Sequence, residues 1–227
     1  IDPNISDERG FTADIGIRKE KPRLLFDINV FSLLYGSRIG IIFNDRAQRV
    51  RKNIGTAFIY GIENYVSYDL VKASSTEELS VMLFSNMSLT DSRYLVSEIP
   101  NVTGKRVEFI PLVNWTSGIR INYANWKLSS QIMALTSQFT DVENSDIASA
   151  GEPREGMLGP IPGYMVSDLN VSYTHGRFEY VFGINNLFNK RYYTRRALGY
   201  PGPGILPSSP RNGFLNVKFS LEPKSKN

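Results

Sequence analysis

The sequence predicts an all-β protein, an antiparallel transmembrane β-barrel, from two observations. Apolar and polar residues alternate along most of the 227 residues, which is the period of a strand with two different faces. The connections between these runs alternate in length, as they do in membrane barrels, whereas a soluble sandwich has no reason to keep one end tighter. Short connections are expected at 19–23, 71–78, 124–125 and 175–177, and long ones at 44–53, 93–108, 141–163 and 190–212.

The first strand is predicted at residues 11–17, where Phe11 and Ile15 alternate with Thr12 and Asp14. After a break at 20–22, a second run covers 24–43. Its alternation slips in phase near 32–36, which indicates a β-bulge, because one inserted residue exchanges the two faces.

The next run is the most regular in the chain and predicts which face meets hydrocarbon. Residues 54, 56, 58, 60, 62 and 66 form an apolar side, whereas 55, 57, 61, 63, 67 and 69 form a side that carries Glu63 and Asp69. A charge on the lipid face near the midplane would cost about 2–4 kcal/mol for a basic residue. The acid-free side, which includes Ile54 and Phe58, is therefore predicted to face lipid.

Further strands are predicted at 79–89, from Phe109 through Tyr123, and at 126–139. Residues 124–125 form a tight turn between the last two of these strands. Tyr123 and Trp126 flank that turn, where an interfacial aromatic girdle is expected.

The final hairpin carries the most specific pattern. Alternation over 169–174 leads to a turn at 175–177 and resumes over 178–184, and the chain continues as Asn185-Asn186-Leu187-Phe188-Asn189-Lys190-Arg191-Tyr192-Tyr193. After a Pro/Gly-rich loop, a last strand alternates over 214–221. This string resembles the C-terminal end of TonB-dependent outer-membrane receptors, and residues 194–207 resemble the corresponding loop of the ferric-dicitrate type of receptor.

The resemblance implies that residues 1–221 are the C-terminal portion, about nine strands, of a larger barrel of ~22 strands. It further implies a plug domain ahead of the barrel, which nothing in this chain resembles, and a location in the outer membrane of a Gram-negative bacterium. Alone, such a piece would leave two open edges that lipid does not tolerate. Residues 222–227 are expected to be a polar tail, although such receptors usually finish on an aromatic residue and here Phe219 is followed by Ser220.

The implied function is transport of a ferric chelate, energised by TonB, ExbB and ExbD through the N-terminal part, with no reaction catalysed. Arg195 and Arg196 are the candidate ligand-binding pair, beside Arg191, Tyr192 and Tyr193. Planar guanidinium groups suit carboxylate-rich anions such as iron citrate. The competing interpretation is that these arginines face lipopolysaccharide phosphates or stabilise the loop.

Other site classes have weaker support. The chain has no cysteine, and His175 is its only histidine, so neither a thiolate metal site nor a histidine-based catalytic site is expected. The acidic residues between 141 and 155 do not have EF-hand spacing. Basic clusters at 46–52 and 191–196 lack a recognition helix or RNA-binding signature, so nucleic acid is not expected as a partner.

Three alternatives remain open at the level of sequence. One is a receptor of the same architecture for a glycan or cobalamin. Another is a barrel enzyme such as an outer-membrane protease or phospholipase, which would need a His-containing constellation at the rim. The last is a soluble all-β binding module, which would fold in water without detergent.

Overall fold

The protein is described by a computed structural model that covers residues 2–43, 49–72, 78–146, 159–197 and 204–221. Eleven strands lie in these ranges. They are β1 (Arg9–Glu20), β2 (Leu24–Phe43), β3 (Arg49–Val71), β4 (Leu79–Ser97), β5 (Val113–Tyr123), β6 (Trp126–Leu135), β7 (Tyr164–His175), β8 (Phe178–Asn185), β9 (Tyr193–Ala197), β10 (Gly204–Pro207) and β11 (Asn212–Phe219).

Nine of these strands form one antiparallel sheet in the order β1-β2-β3-β4-β5-β6-β7-β8-β11. Each strand pairs with its neighbour in sequence except at the end, where β9 and β10 form a separate hairpin between β8 and β11. The expected all-β fold of about nine strands is therefore confirmed. The part of the chain that the structure describes contains no helix long and apolar enough to span a membrane.

The registers assign every residue of this sheet to one of two faces, because residues directly opposite each other share a face. One face, called the apolar face below, carries Phe11, Ile15, Val30, Phe58, Ile62, Leu83, Leu89, Ile121, Leu128, Leu169, Phe182 and Leu215. The other, called the polar face, carries Asp14, Arg18, Asp27, Glu63, Asp69, Arg120, Lys127, Asp168, Glu179 and Lys218. The predicted alternation of the two faces is confirmed.

An aromatic band crosses the apolar face near the short turns. Tyr123 and Trp126 lie opposite each other in register, and the ring of Trp126 lies 4.5 Å from that of Tyr173. Farther along, the rings of Phe178 and Phe219 are 5.1 Å apart. These positions match the girdle predicted at the 124–125 turn.

Several strand boundaries differ from the prediction. β3 begins at Arg49, inside the loop expected at 44–53, of which residues 44–48 lie outside the described residues. β4 extends to Ser97, so the loop expected at 93–108 is displaced to 98–112. These strand ends can consist of polar residues because the ends are partly exposed, while their backbone groups are hydrogen-bonded to the neighbouring strand. β5 begins only at Val113, since Phe109 has a positive φ of 60° that breaks the extended backbone.

Three register shifts lie where β2, β3 and β4 extend beyond the apolar band. The β2–β3 register shifts between Tyr35 and Arg38, close to the predicted bulge, and again between Arg38 and Ile39, and the β3–β4 register shifts between Thr56 and Ala57. Gly55 has a φ of 150°, and a Cβ there would lie 2.0 Å from the carbonyl oxygen of Val96. The shift between Arg38 and Ile39 leaves Ile54 without a partner on β2, and Ile54 packs in the buried core with Ala57 and Tyr94 at 1% exposure, so the prediction that Ile54 faces lipid was wrong.

The described parts of the other long connections add little regular structure. β6 ends at Leu135, and Gln138 then pairs with Ile161 through an isolated bridge. Residues 147–158 of the predicted 141–163 loop, residues 73–77 of the predicted 71–78 turn and the 222–227 tail lie outside the described residues. The final strand ends at Phe219, two residues before the predicted end.

Candidate functional site

The connection between β8 and β11 is organised around Asn186, which is buried with a positive φ of 52°. Its backbone N–H donates to Oδ1 of Asp168 at 3.0 Å. Its side chain accepts from the backbone N–H of Lys190 at 2.7 Å and donates to the carbonyl of Lys190 at 2.8 Å. A second amide donation reaches the carbonyl of Ser209 at 3.3 Å. The Asn185-Asn186 motif therefore closes both ends of this connection onto the sheet.

Arg196 ties the connection to the preceding long loop. Its Nε donates to the carbonyl of Gly159 at 2.8 Å and its Nη2 to that of Pro160 at 3.1 Å. The guanidinium also lies over the ring of Tyr193, 5.7 Å from the centroid. Because a planar guanidinium presents several donors in a fixed fork, it can hold two adjacent carbonyls at once.

The two predicted tyrosines are half-buried and contact the same region. The hydroxyl of Tyr193 donates to the carbonyl of Pro160 at 3.3 Å. The ring of Tyr192 lies 4.6 Å from that of Tyr164 at the beginning of β7, tilted by 32°. Both residues therefore pack the hairpin against the rest of the protein.

Arg195 and Arg191 are placed differently, with exposed side chains. In the β9–β10 hairpin Arg195 lies opposite Leu206 and Arg196 opposite Ile205. Consecutive strand residues point to opposite sides, which explains why one arginine meets the preceding loop and the other meets solvent. The structure thus brings Tyr193 and Arg196 together, places Tyr192 against Tyr164, and leaves the other two predicted residues at the surface.

A second polar cluster lies under the connection between β4 and β5, and sequence reasoning missed it. Arg38 Nη1 donates to Oε1 of Glu108 at 2.8 Å and also to the hydroxyl of Tyr94. That hydroxyl donates to Oε2 of Glu108 at 2.8 Å. Glu108 is only 9% exposed and Tyr94 is fully buried. Because an unpaired charge is costly to bury, the carboxylate of Glu108 is paired with the guanidinium of Arg38.

A small hydrophobic core surrounds this cluster. Its buried members, contributed by β3, β4 and two long connections, are Ile54, Ala57, Tyr94, Val102, Val107 and Val142. The backbone also closes the region, since the N–H of Tyr94 donates to the carbonyl of Lys105 and the N–H of Gly104 donates to that of Tyr94. Residues 98–109 are therefore a packed element on the polar face. Apolar Val102 and Val107 were the available sequence signal for it.

The described ranges contain no group of three or more His, Cys, Asp or Glu residues placed to hold a metal ion.

Comparison with known proteins agrees with this arrangement. A family model described as TonB dependent receptor-like, beta-barrel, matches residues 1–187, which is most of the chain.

Three solved structures share the fold. The ferric citrate transporter FecA in the unliganded form has a TM-score of 0.74 and 24% identity over 92% of this chain. The ferric yersiniabactin uptake receptor FyuA from Yersinia pestis has a TM-score of 0.71 and 16% identity over 93% of this chain. The copper transporter OprC has a TM-score of 0.73 and 17% identity over 96% of this chain. This chain spans 30–32% of the length of these three proteins.

The match to the family model and the two different faces of the sheet both indicate an outer-membrane β-barrel. An apolar face bounded by aromatic residues, opposite a face that carries the charges, is the arrangement of an outer-membrane strand. The long connections, including 98–112 and the described residues 186–197 and 204–211, lie at the end opposite the short turns, which in outer-membrane barrels is the extracellular end. The chain therefore belongs to the TonB-dependent receptor-like β-barrel family, and the apolar face of its sheet lies against the lipid of the outer membrane.

Proposed function

We propose that this chain supplies barrel wall and extracellular rim to a TonB-dependent receptor that imports a ferric chelate of the iron-citrate class. The cargo class is supported by proteins of the same fold, which include a ferric citrate transporter and a ferric yersiniabactin uptake receptor. The residues of the rim carry the chemistry that would select such a cargo.

The observation that carries the proposal is the contrast between Arg195 and Arg196. Arg196 is committed to the carbonyls of Gly159 and Pro160, so it fixes the hairpin. Arg195 projects from that fixed hairpin into solvent, where its guanidinium can bind a carboxylate through two parallel hydrogen bonds. A donor held on a braced hairpin loses less conformational entropy on binding than one on a loose loop.

Arg191 is also exposed and precedes Arg195 by four residues, with Tyr192 and Tyr193 between them in the chain. A ferric chelate with several carboxylates carries net negative charge, so exposed arginines also raise its local concentration at the rim. The expected partners are TonB, ExbB and ExbD, which would act through a segment N-terminal to the barrel. No residue of this chain is assigned a catalytic role.

The test is the affinity of the full-length protein in detergent for ferric citrate, measured by isothermal titration calorimetry. Arg195→Gln should raise the Kd by about 10- to 150-fold, because one charge-assisted contact contributes about 1.5–3 kcal/mol. Arg23→Gln is the matched control, since Arg23 is an exposed arginine beside a short turn at the other end of the sheet. It should leave the Kd unchanged.

Two further arms separate the competing cargoes. Iron-free citrate and a copper salt, the latter because a copper transporter shares the fold, should each bind more weakly than ferric citrate. An unchanged Kd for Arg195→Gln would remove this residue from the site. Binding of a glycan or cobalamin in place of any ferric chelate would identify the alternative receptor class.

A further inference from the structure

A basic and aromatic patch lies on the apolar face at the extracellular end of β3 and β4. Phe58 lies opposite Arg93 and Tyr60 opposite Asp91 in the β3–β4 register, so all four share the apolar face. The rings of Phe58 and Tyr60 are stacked with centroids 5.2 Å apart. This patch is independent of the proposed cargo site on the last connection.

The height of the patch places it at the outer membrane interface. Phe58 lies ten residues before Tyr68 along β3, and Tyr68 is an exposed aromatic near the short-turn end of the same face. A tilted transmembrane strand needs about 9–11 residues to cross the hydrocarbon. Phe58 and Tyr60 therefore mark the opposite, outer-leaflet interface, where aromatic side chains are enriched.

Asp91 and Arg93 are the first charges above the hydrocarbon on β4. The preceding apolar-face residues of this strand are Leu79, Val81, Leu83, Ser85, Met87 and Leu89. Above them, Oδ2 of Asp91 lies 3.5 Å from Nη2 of Arg93 and accepts from the hydroxyl of Tyr60 at 3.3 Å. The charged pair therefore sits where lipid headgroups begin.

Arg106 changes the charge balance of the patch. Its Nε lies 3.4 Å from Oδ1 of Asp91, without hydrogen-bond geometry, and neither Nε nor Nη2 has a hydrogen-bond acceptor among the described residues. The side chain of Arg106 is 19% exposed, whereas that of Arg93 is 47% exposed. Arg93 and Arg106 therefore share the single carboxylate of Asp91, so two positive charges face one negative charge and the group keeps an excess of positive charge. Nη1 of Arg93 also donates to the carbonyl of Gly104 at 3.3 Å, which holds the accessible guanidinium in place.

We propose that Arg93, with Arg106 behind it and the stacked Phe58 and Tyr60 beside it, binds a phosphate group of a phosphorylated glycolipid in the outer leaflet. Guanidinium groups pair with phosphate through parallel charge-assisted hydrogen bonds. Phe58 lies level with Arg93 and Tyr60 lies closer to the hydrocarbon, level with Asp91, so the two rings can meet the glycolipid backbone and the acyl chains. A phosphorylated lipid can contact both the arginine and the aromatic rings of the patch, whereas a free phosphate can contact only the arginine.

The experiment uses the full-length protein in a nonionic detergent and native mass spectrometry. Bisphosphorylated lipid A and the same lipid with both phosphates removed are titrated separately. Wild-type protein should bind the phosphorylated lipid at least about tenfold more tightly than the dephosphorylated one, which corresponds to one charge-assisted contact. Arg93→Gln should abolish this preference, and Arg93→Lys should keep part of it, because it retains charge without the planar fork.

Arg23→Gln serves as the matched control and should keep the full preference. Heat-modifiable migration on gels verifies that each variant is folded. If Arg93→Gln does not fold, the comparison of the two lipids on wild-type protein still decides the question. Equal binding of both lipids, an unchanged preference in Arg93→Gln, or complete displacement of the lipid by an equal phosphate concentration of inorganic phosphate would each overturn the proposal.

Discussion

The hydroxyl of Tyr94 donates a hydrogen bond of 2.8 Å to Oε2 of Glu108, fourteen residues further along the chain. This contact joins β4 to the connection that follows it, and Arg38 of β2 donates to both partners. The three residues therefore fix residues 98–109 against the polar face of the sheet at its extracellular end. The rim of the barrel is braced here in the same way that Arg196 braces the last connection.

Tyr94→Phe should loosen this element selectively. The substitution removes the hydroxyl that bonds to both Arg38 and Glu108, and an unsatisfied buried group costs about 1–3 kcal/mol. Hydrogen exchange of the backbone amides over 94–109 should accelerate accordingly. Tyr123→Phe is the control, because Tyr123 is 59% exposed, and it should not change exchange in this region. Equal acceleration in both variants would contradict a local role for the hydroxyl.

Gly118→Ala should destabilise the barrel wall. A Cβ at this position would lie 2.4 Å from the carbonyl oxygen of Ser130 and 2.7 Å from the ring of Phe84, which lies across the glycine. Such overpacking costs about 1–3 kcal/mol. Urea unfolding in lipid vesicles measures this loss in the free energy of unfolding.

Gly36→Ala is the matched control for this prediction, since the nearest heavy atom to its Cβ would be the carbonyl oxygen of Arg9 at 3.8 Å. The unfolding midpoint of Gly36→Ala should stay near that of the wild type. If the unfolding midpoint of Gly118→Ala were also unchanged, the ring of Phe84 would be able to move aside at no cost, which would contradict the prediction.

Leu169→Arg should impair membrane insertion far more than Ser129→Arg. Leu169 lies opposite Ser130 on the apolar face, while Ser129 lies opposite Asn170 on the polar face at almost the same level. An arginine facing lipid near the midplane costs about 2–4 kcal/mol, whereas one facing the interior does not meet hydrocarbon. The heat-modifiable fraction in outer-membrane preparations should fall only for Leu169→Arg, and an equal fall for both would refute the assigned faces.

Arg196→Gln should loosen the β9–β10 hairpin. The variant loses the donations from Nε and Nη2 to Gly159 and Pro160, so amide exchange over 193–197 should increase. Arg196→Lys should not restore protection, because an ammonium group cannot match the planar fork that spans two carbonyls. Full protection in Arg196→Lys would mean that charge alone holds the loop.

The alternation of faces could be predicted from sequence because it follows from backbone geometry alone. Asp14, Glu63 and Asp69 fall on one face whatever their tertiary partners are, since side chains of a strand alternate with a period of two. Ile54 shows where this reasoning ends. A register shift between β2 and β3 leaves Ile54 unpaired between Asn53 and Gly55, and composition does not locate such a shift.

The side-chain clusters were predictable only in part. The sequence predicts Arg195 and Arg196 as a functional pair, but the register of a short strand separates them into one exposed residue and one that braces a loop. The contact of Arg38 with Tyr94 joins residues 56 positions apart, so it depends on the completed sheet. Asn186, by contrast, lay within the motif that identified the C-terminal hairpin, and the structure explains the motif as a loop closure.

Uptake of radiolabelled ferric citrate by cells that produce the full-length protein tests the proposed function most directly. We expect uptake above that of cells lacking the protein, loss of that uptake in cells lacking TonB, and a higher apparent KM for Arg195→Gln with unchanged protein in the outer membrane. If correctly inserted protein gave no uptake of ferric citrate or any other ferric chelate, the import of iron chelates by this protein would be contradicted.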